Sequence, residues 1–130
     1  MMRYILLLKT QENPGLGDPP KELMDAIARY GEETAKAGVL IDTGGLAPSA
    51  AGARVRLSGG KLSVTDGPFT ETKELIASYA LVQVESKEQA VEVATRFLQL
   101  HREHWAGWEG ESEIRKLFGP EDFAPEPGQA

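Results

Sequence analysis

The sequence contains no cysteine. This absence excludes disulfide bonds, zinc sites built from thiolates and cysteine nucleophiles. The sequence also has no run of about 18 apolar residues, so we expect no helix that crosses a membrane. The short apolar stretch at residues 4–8 is followed by Lys9 and Glu12 rather than by small residues. It therefore predicts the first strand of a cytoplasmic protein and not a signal peptide.

An excess of positive charge is absent as well. The chain has 14 Lys and Arg against 20 Asp and Glu, a net charge of −6, and an acidic surface repels the phosphates of nucleic acid. Its 130 residues, 41% of them apolar, are enough for one domain with its own core. We expect this domain at residues 1–118 and a Pro- and Glu-rich tail at 119–130.

Apolar periodicity predicts two helices and six strands. Residues 3–9 are apolar at nearly every position, which is typical of a central strand buried on both faces. A first helix is expected to begin with Asp18 as N-cap and to end at Gly38. A second helix should begin at Ser86, which forms a capping box with Gln89. The other predicted strands lie at residues 39–42, 53–58, 61–65, 76–85 and 112–118, with Gly59-Gly60 as a hairpin turn.

The order of elements predicts the fold class. The chain contains two strand–helix–strand units, with a hairpin inserted between them. This order favours an α+β, ferredoxin-like layer with an inserted β-hairpin. Two helices cover one face of a sheet. Yet Leu6 and Leu7 point to opposite faces of the first strand, as Leu81 and Val82 do in the long later strand. We therefore predict a homodimer in which sheet packs on sheet.

Asp66-Gly67-Pro68-Phe69 is the most distinctive segment of the chain. With its flanking residues, it resembles the signature of the DGPF branch of the YCII-related family. Similar segments are residues 2–8, 37–40, 59–61, 100–105 and 109–115. The resemblance spans residues 2–123 and implies a dimeric α/β-barrel without a known reaction. Some relatives occur with alternative sigma factors, which implies an alternative role as a non-catalytic interaction module linked to transcription.

One feature of simple YCII proteins is missing here. Those proteins carry a histidine on the first helix, proposed to form an acid–base pair with an aspartate. Residues 21–37 contain no histidine, so this pair cannot be transferred to the present chain.

Asp66 is the candidate catalytic residue. An aspartate in a turn usually accepts a hydrogen bond from the N–H two residues later, but Pro68 has no N–H. We therefore expect the Asp66 carboxylate to accept from the N–H of Gly67 or Phe69. Two interpretations remain open: a carboxylate that acts as acid or base at a cleft, and an aspartate that only holds a structural turn.

A cleft formed by Asp66, Phe69, Arg54 and Tyr79 is the predicted site. Its function would be small-molecule binding or catalysis without a cofactor or metal. The predicted ligand-binding residues are Arg54, Arg56, Gly67, Pro68, Phe69, Tyr79 and His101. The two arginines share a strand face and suit an anionic ligand, although such residues more often form a solvated face of a hairpin. His101 and His104 lie three residues apart and could hold a metal ion, or one of them could act as a general base with Asp66. They also suit the dipole at a helix C-terminus.

Overall fold

The computed structural model describes residues 1–12, 15–69, 74–119 and 122. Its elements follow in the predicted order. They are β1 (Met2–Thr10), α1 (Lys21–Lys36), β2 (Leu40–Gly45), β3 (Ala53–Ser58), β4 (Lys61–Asp66), β5 (Leu75–Val84), α2 (Lys87–His104) and β6 (Gly110–Lys116). A short 3-10 turn, Ser49–Ala51, lies between β2 and β3.

Four strands form one antiparallel sheet in the order β2-β5-β1-β6, and β3 pairs with β4 in a separate hairpin. The two strand–helix–strand units interleave in this sheet, as in a ferredoxin-like fold, and the α+β class is confirmed. Within the described residues the sheet stays open, with β2 and β6 at its edges.

The core lies between the helices and one face of the sheet. Strand pairing places Tyr4 beside Val82 and Leu6 beside Ala80 on this face, and Val82 is fully buried. Leu7 and its neighbour Tyr79 lie on the opposite face, where they are half-buried. Because side chains alternate along a strand, the sequence correctly predicts that β1 and β5 have two apolar faces.

Two of the three helix ends assigned from the sequence agree with the structure. Gly38 has φ 76° just beyond α1, a left-handed conformation that glycine adopts without strain. Ser86 accepts a hydrogen bond from the Gln89 N–H and so caps α2. The prediction of Asp18 as N-cap is wrong, because Pro20 holds that position in extended backbone, without a side-chain cap.

Strand β2 continues through Gly45, although the sequence predicts a break after residue 42. The reason is the packing of Gly44 against the ring of Tyr79. A Cβ atom at Gly44 would lie 2.9 Å from Tyr79 Cε1, so this glycine leaves room for the ring of its cross-strand neighbour and does not form a turn.

Candidate functional site

The segment Asp66–Phe69, here called the DGPF loop, is fastened to the 3-10 turn and to the residue that follows it. The N–H of Gly67 donates to the carbonyl of Gly52 at 2.9 Å. The N–H of Phe69 donates to Ser49 Oγ at 3.1 Å. Both N–H groups expected to bond the Asp66 carboxylate are therefore used by other acceptors, and that expectation is wrong.

Gly67 is required by a close backbone contact. A Cβ atom at this position would lie 1.7 Å from the carbonyl oxygen of Ser49, far inside van der Waals contact. The neighbouring Gly52 has room by comparison, since its Cβ would lie 3.5 Å from the same oxygen. Because Gly67 has no side chain, the DGPF loop can lie directly on the 3-10 turn.

Glu12, just beyond the end of β1, holds the 3-10 turn from the other side. Its carboxylate accepts a hydrogen bond from the backbone N–H of Ser49 and a second, at 2.7 Å, from the Ser49 hydroxyl. These two bonds favour the charged form and hold the pKa of Glu12 below its usual range. Ser49 thus joins the end of β1 to the DGPF loop.

Phe69 of the DGPF loop is in contact with Arg54 of β3. The Arg54 guanidinium lies 3.8 Å from the centre of the Phe69 ring, which is the geometry of a cation–π interaction. Both residues are half-buried. In the hairpin pairing, Arg54 lies opposite Thr65 and Arg56 opposite Ser63, so the two arginines share a strand face as predicted.

A groove of about 540 Å³ runs beside this pair, a size in the range of small-molecule sites. It combines apolar walls with charged groups from three parts of the chain. Its lining residues are Glu12, Leu46, Ala47, Pro48, Ser49, Ala51, Gly52, Ala53, Arg54, Phe69, Glu74, Leu75 and Ile76. The groove suits a molecule with an apolar portion and a polar or charged group.

Asp66 lies beside the groove rather than in its lining. It ends β4 opposite Ala53, and its side chain is exposed. None of the described residues accepts or donates a hydrogen bond at its carboxylate. Pro68 is exposed and Gly67 half-buried, so the DGPF loop contributes Phe69 to the wall and leaves the Asp66 carboxylate open to solvent.

Tyr79 is not brought into the groove. Its hydroxyl donates to Asp42 Oδ2 at 2.9 Å, and this bond raises the pKa of Tyr79 because the carboxylate disfavours a second negative charge. The structure therefore joins Arg54 and Phe69 of the predicted cleft, with Asp66 adjacent and Tyr79 elsewhere on the sheet.

His101 is also outside the groove, since it is buried in α2 with 4% of its surface exposed. Its ring lies between Phe97 and Trp108, with centroids 4.8 and 4.3 Å away. Nδ1 lies 2.9 Å from the Phe97 carbonyl, and burial lowers the pKa of the imidazole. These contacts give His101 a packing role, while His104 is half-exposed near the end of α2.

Two residues of this region, Glu12 and Ser49, were not predicted from the sequence. They are 37 positions apart, and each lies in a segment that the pattern marks only as loop. No local signal pairs them. The described part of the chain also contains no cluster of three His, Cys, Asp or Glu residues suited to a metal ion, and none of its helices is long and apolar enough to span a membrane.

The close contact at Gly67 yields a matched pair of variants. We expect Gly67→Ala to lower the free energy of unfolding by about 1–3 kcal/mol, because the new methyl group forces the DGPF loop away from Ser49. Gly52→Ala should leave stability unchanged or slightly raised, since its Cβ fits. Urea denaturation of both variants measures the difference, and equal stability would contradict the contact.

Comparison with known proteins identifies the family. The model of the YCII-related domain matches residues 2–99, which include all of α1, most of α2 and the DGPF loop. An uncharacterized protein of Rhizobium meliloti (strain 1021) is 32% identical over 74 residues, 57% of this chain. The chain spans 60% of the length of that relative. With the fold and the domain match together, the chain belongs to the YCII-related family.

Proposed function

We propose that this protein, a member of the DGPF branch of its family, binds a small molecule in the groove beside the DGPF loop. The observation that carries the proposal is the fastening of three separate segments around the groove through Ser49. The Glu12 carboxylate, the Ser49 hydroxyl and the close contact at Gly67 together hold the DGPF loop. The held loop fixes the position of Phe69 and, through it, of Arg54. Such fixed side chains are what a binding site requires.

The lining defines the chemistry of the ligand. Leu46, Leu75 and Ile76 offer apolar surface, and the Phe69 ring offers a flat one. The carboxylate of Glu74 and the guanidinium of Arg54 lie among them, so a ligand with both an apolar and a polar part uses the whole groove. If the bound molecule reacts, the exposed Asp66 carboxylate at its edge is the group that exchanges a proton, without a cofactor.

A thermal-shift screen against a metabolite library tests the groove. A ligand present at 100 times its Kd stabilises the native state by about 2.7 kcal/mol, which raises the melting temperature by several degrees. Leu46→Asp places a charge in the groove, at a side chain that is 51% exposed, and should abolish the shift. Leu117→Asp is the control, because Leu117 is also exposed but lies outside the groove.

Asp66→Asn separates binding from catalysis. The variant should still show the shift of the melting temperature, because Asp66 does not line the groove, and it should lose turnover of the same ligand. A hit that survives Leu46→Asp unchanged would refute the groove as the binding site. Turnover that survives Asp66→Asn would refute the role of Asp66 as acid or base.

The functional unit in this proposal is a homodimer. The β3–β4 hairpin supports it, because its pairs Val55–Val64 and Leu57–Leu62 place four exposed apolar side chains side by side on one face. Each of the four side chains has about 70% of its surface exposed, 69% to 73%. Together they leave an apolar patch on the order of 400 Å², a size that marks protein interaction sites. The outer face of the main sheet, with the half-buried Leu7 and Leu81, is a second apolar surface.

A lysine placed on one face of the hairpin or on the other tests the dimer. Leu62→Lys puts a charge on the apolar face and should shift the sedimentation coefficient from dimer to monomer at micromolar concentration. Ser63→Lys puts the same charge on the opposite face and should leave the dimer intact. Both residues are exposed in the single chain, so neither change costs its fold. A wild-type protein that sediments as a monomer would contradict the dimer.

The same exposed face also suits a second function, that of a non-catalytic interaction module, for which the family resemblance alone implies a link to transcription. In that case the hairpin binds a different protein. A monomeric wild-type protein whose thermal stability responds to no metabolite would favour this second function over the first.

A further inference from the structure

A second cavity of about 470 Å³ lies between the helices and the sheet. None of its lining residues belongs to the groove beside the DGPF loop. Leu6, Leu8 and Ala80 form its floor on the sheet, and α1 and α2 form its walls. The cavity therefore lies between the two layers of the fold, opens to solvent beside the exposed Ala28, Glu32 and Thr43, and is separate from the site proposed above.

Small side chains create this space. Gly31 on α1 and Ala94 on α2 line it from above, and Ser78 and Ala80 line it from the sheet. A Cβ atom built at Gly31 would meet nothing within 4 Å. Because protein interiors are normally packed to high density, an apolar space of this volume between two layers is a place for a ligand rather than ordinary core.

The hydroxyl groups of the lining divide into two sets. Tyr30 donates to the Val93 carbonyl at 3.0 Å, Thr34 to the Tyr30 carbonyl at 2.7 Å, and Thr43 to the Tyr79 carbonyl at 2.8 Å. Their protons are therefore committed to the protein backbone.

Ser78 and Ser112 form the second set, because no hydrogen bond joins their hydroxyl groups to another described residue. Both pair with Leu8 in the sheet and so flank it on the cavity side, about 10 Å apart across two strand spacings. Their hydroxyls are half-buried and line one edge of the cavity. A bound molecule can therefore form hydrogen bonds at this edge, whereas the other hydroxyl groups of the lining already donate to the backbone.

Charge sets a further limit on the ligand. Glu32, which is exposed, is the charged residue of the lining, and no Lys, Arg or His is among the described residues that line the cavity. An anion placed there would lose its hydration without gaining a cation, which is costly in an apolar site. We propose that this cavity binds an uncharged, mainly apolar small molecule, with a carbonyl or hydroxyl group at the Ser78 and Ser112 edge.

Gly31 allows the cavity to be filled without damage to the fold. Its backbone is helical, so both Gly31→Leu and Gly31→Ala should raise the melting temperature through the better helix propensity of the new residue. Only leucine is large enough to occupy the cavity. The pair therefore separates loss of space from any change in stability.

The binding probe is prodan, an uncharged naphthalene with one ketone whose fluorescence shifts to the blue in apolar surroundings. Wild type and Gly31→Ala should bind it with the same Kd, and Gly31→Leu should weaken binding at least about tenfold, or 1.4 kcal/mol. Leu117→Asp, at an exposed apolar residue that does not line the cavity, should leave the Kd unchanged. An unchanged Kd in Gly31→Leu would overturn the proposal.

Competition for prodan tests the charge preference. Uncharged acetylnaphthalene should displace the probe at a concentration at least about tenfold lower than anionic naphthoate, which has the same ring system. The double variant Ser78→Ala, Ser112→Ala should weaken acetylnaphthalene more than it weakens naphthalene, which has no carbonyl. Equal or better competition by naphthoate, or an equal loss for both neutral rings, would overturn the assigned ligand class.

Discussion

The hydrogen bonds of Ser49 hold the candidate site together. Its N–H and hydroxyl donate to Glu12, its Oγ accepts from the Phe69 N–H, and its carbonyl lies against Gly67. The β3–β4 hairpin pairs only with itself among the described strands. The 3-10 turn is therefore what ties the loop at the end of this hairpin to the main sheet, through the end of β1.

A two-layer fold with a single helical layer explains the other surfaces. The helices cover the face of the sheet that carries Tyr4 and Val82, and small residues between the layers leave a cavity there. The opposite face, with Leu7 and Leu81, has no covering element in the described part of the chain. The proposed ligand cavity and the proposed dimer surface thus lie on opposite sides of one sheet.

Local features of the fold could be predicted from the sequence because local physics decides them. The capping box at Ser86, the left-handed Gly38 and the hairpin turn at Gly59-Gly60, with φ 57° and 76°, each depend on residues a few positions apart. Gly44 was misread as a strand break because its cause is the ring of Tyr79 on another strand. Sequence alone does not show which neighbour a glycine must admit.

The candidate site was predictable only in part for the same reason. The missing N–H of Pro68 correctly marks the DGPF loop as unusual, and Arg54 and Phe69 do meet. The partners of the loop are Ser49 and, through it, Glu12, which are distant in sequence and lie in segments without a pattern. His101 has the residue type of a general base, yet its place on the buried side of α2 makes it a packing residue.

Titration of the Glu12 carboxyl group by NMR tests the central claim most directly. The account predicts a pKa below the ordinary value of 4.5, because Ser49 donates two hydrogen bonds to the charged form. A lowered pKa stabilises the folded state above the unfolded pKa, and this contribution is lost as pH falls through the folded value. The amide signals of Ser49 and Phe69 should shift along the same curve. An ordinary pKa for Glu12, with amide signals of Ser49 and Phe69 that do not change as Glu12 titrates, would contradict the account.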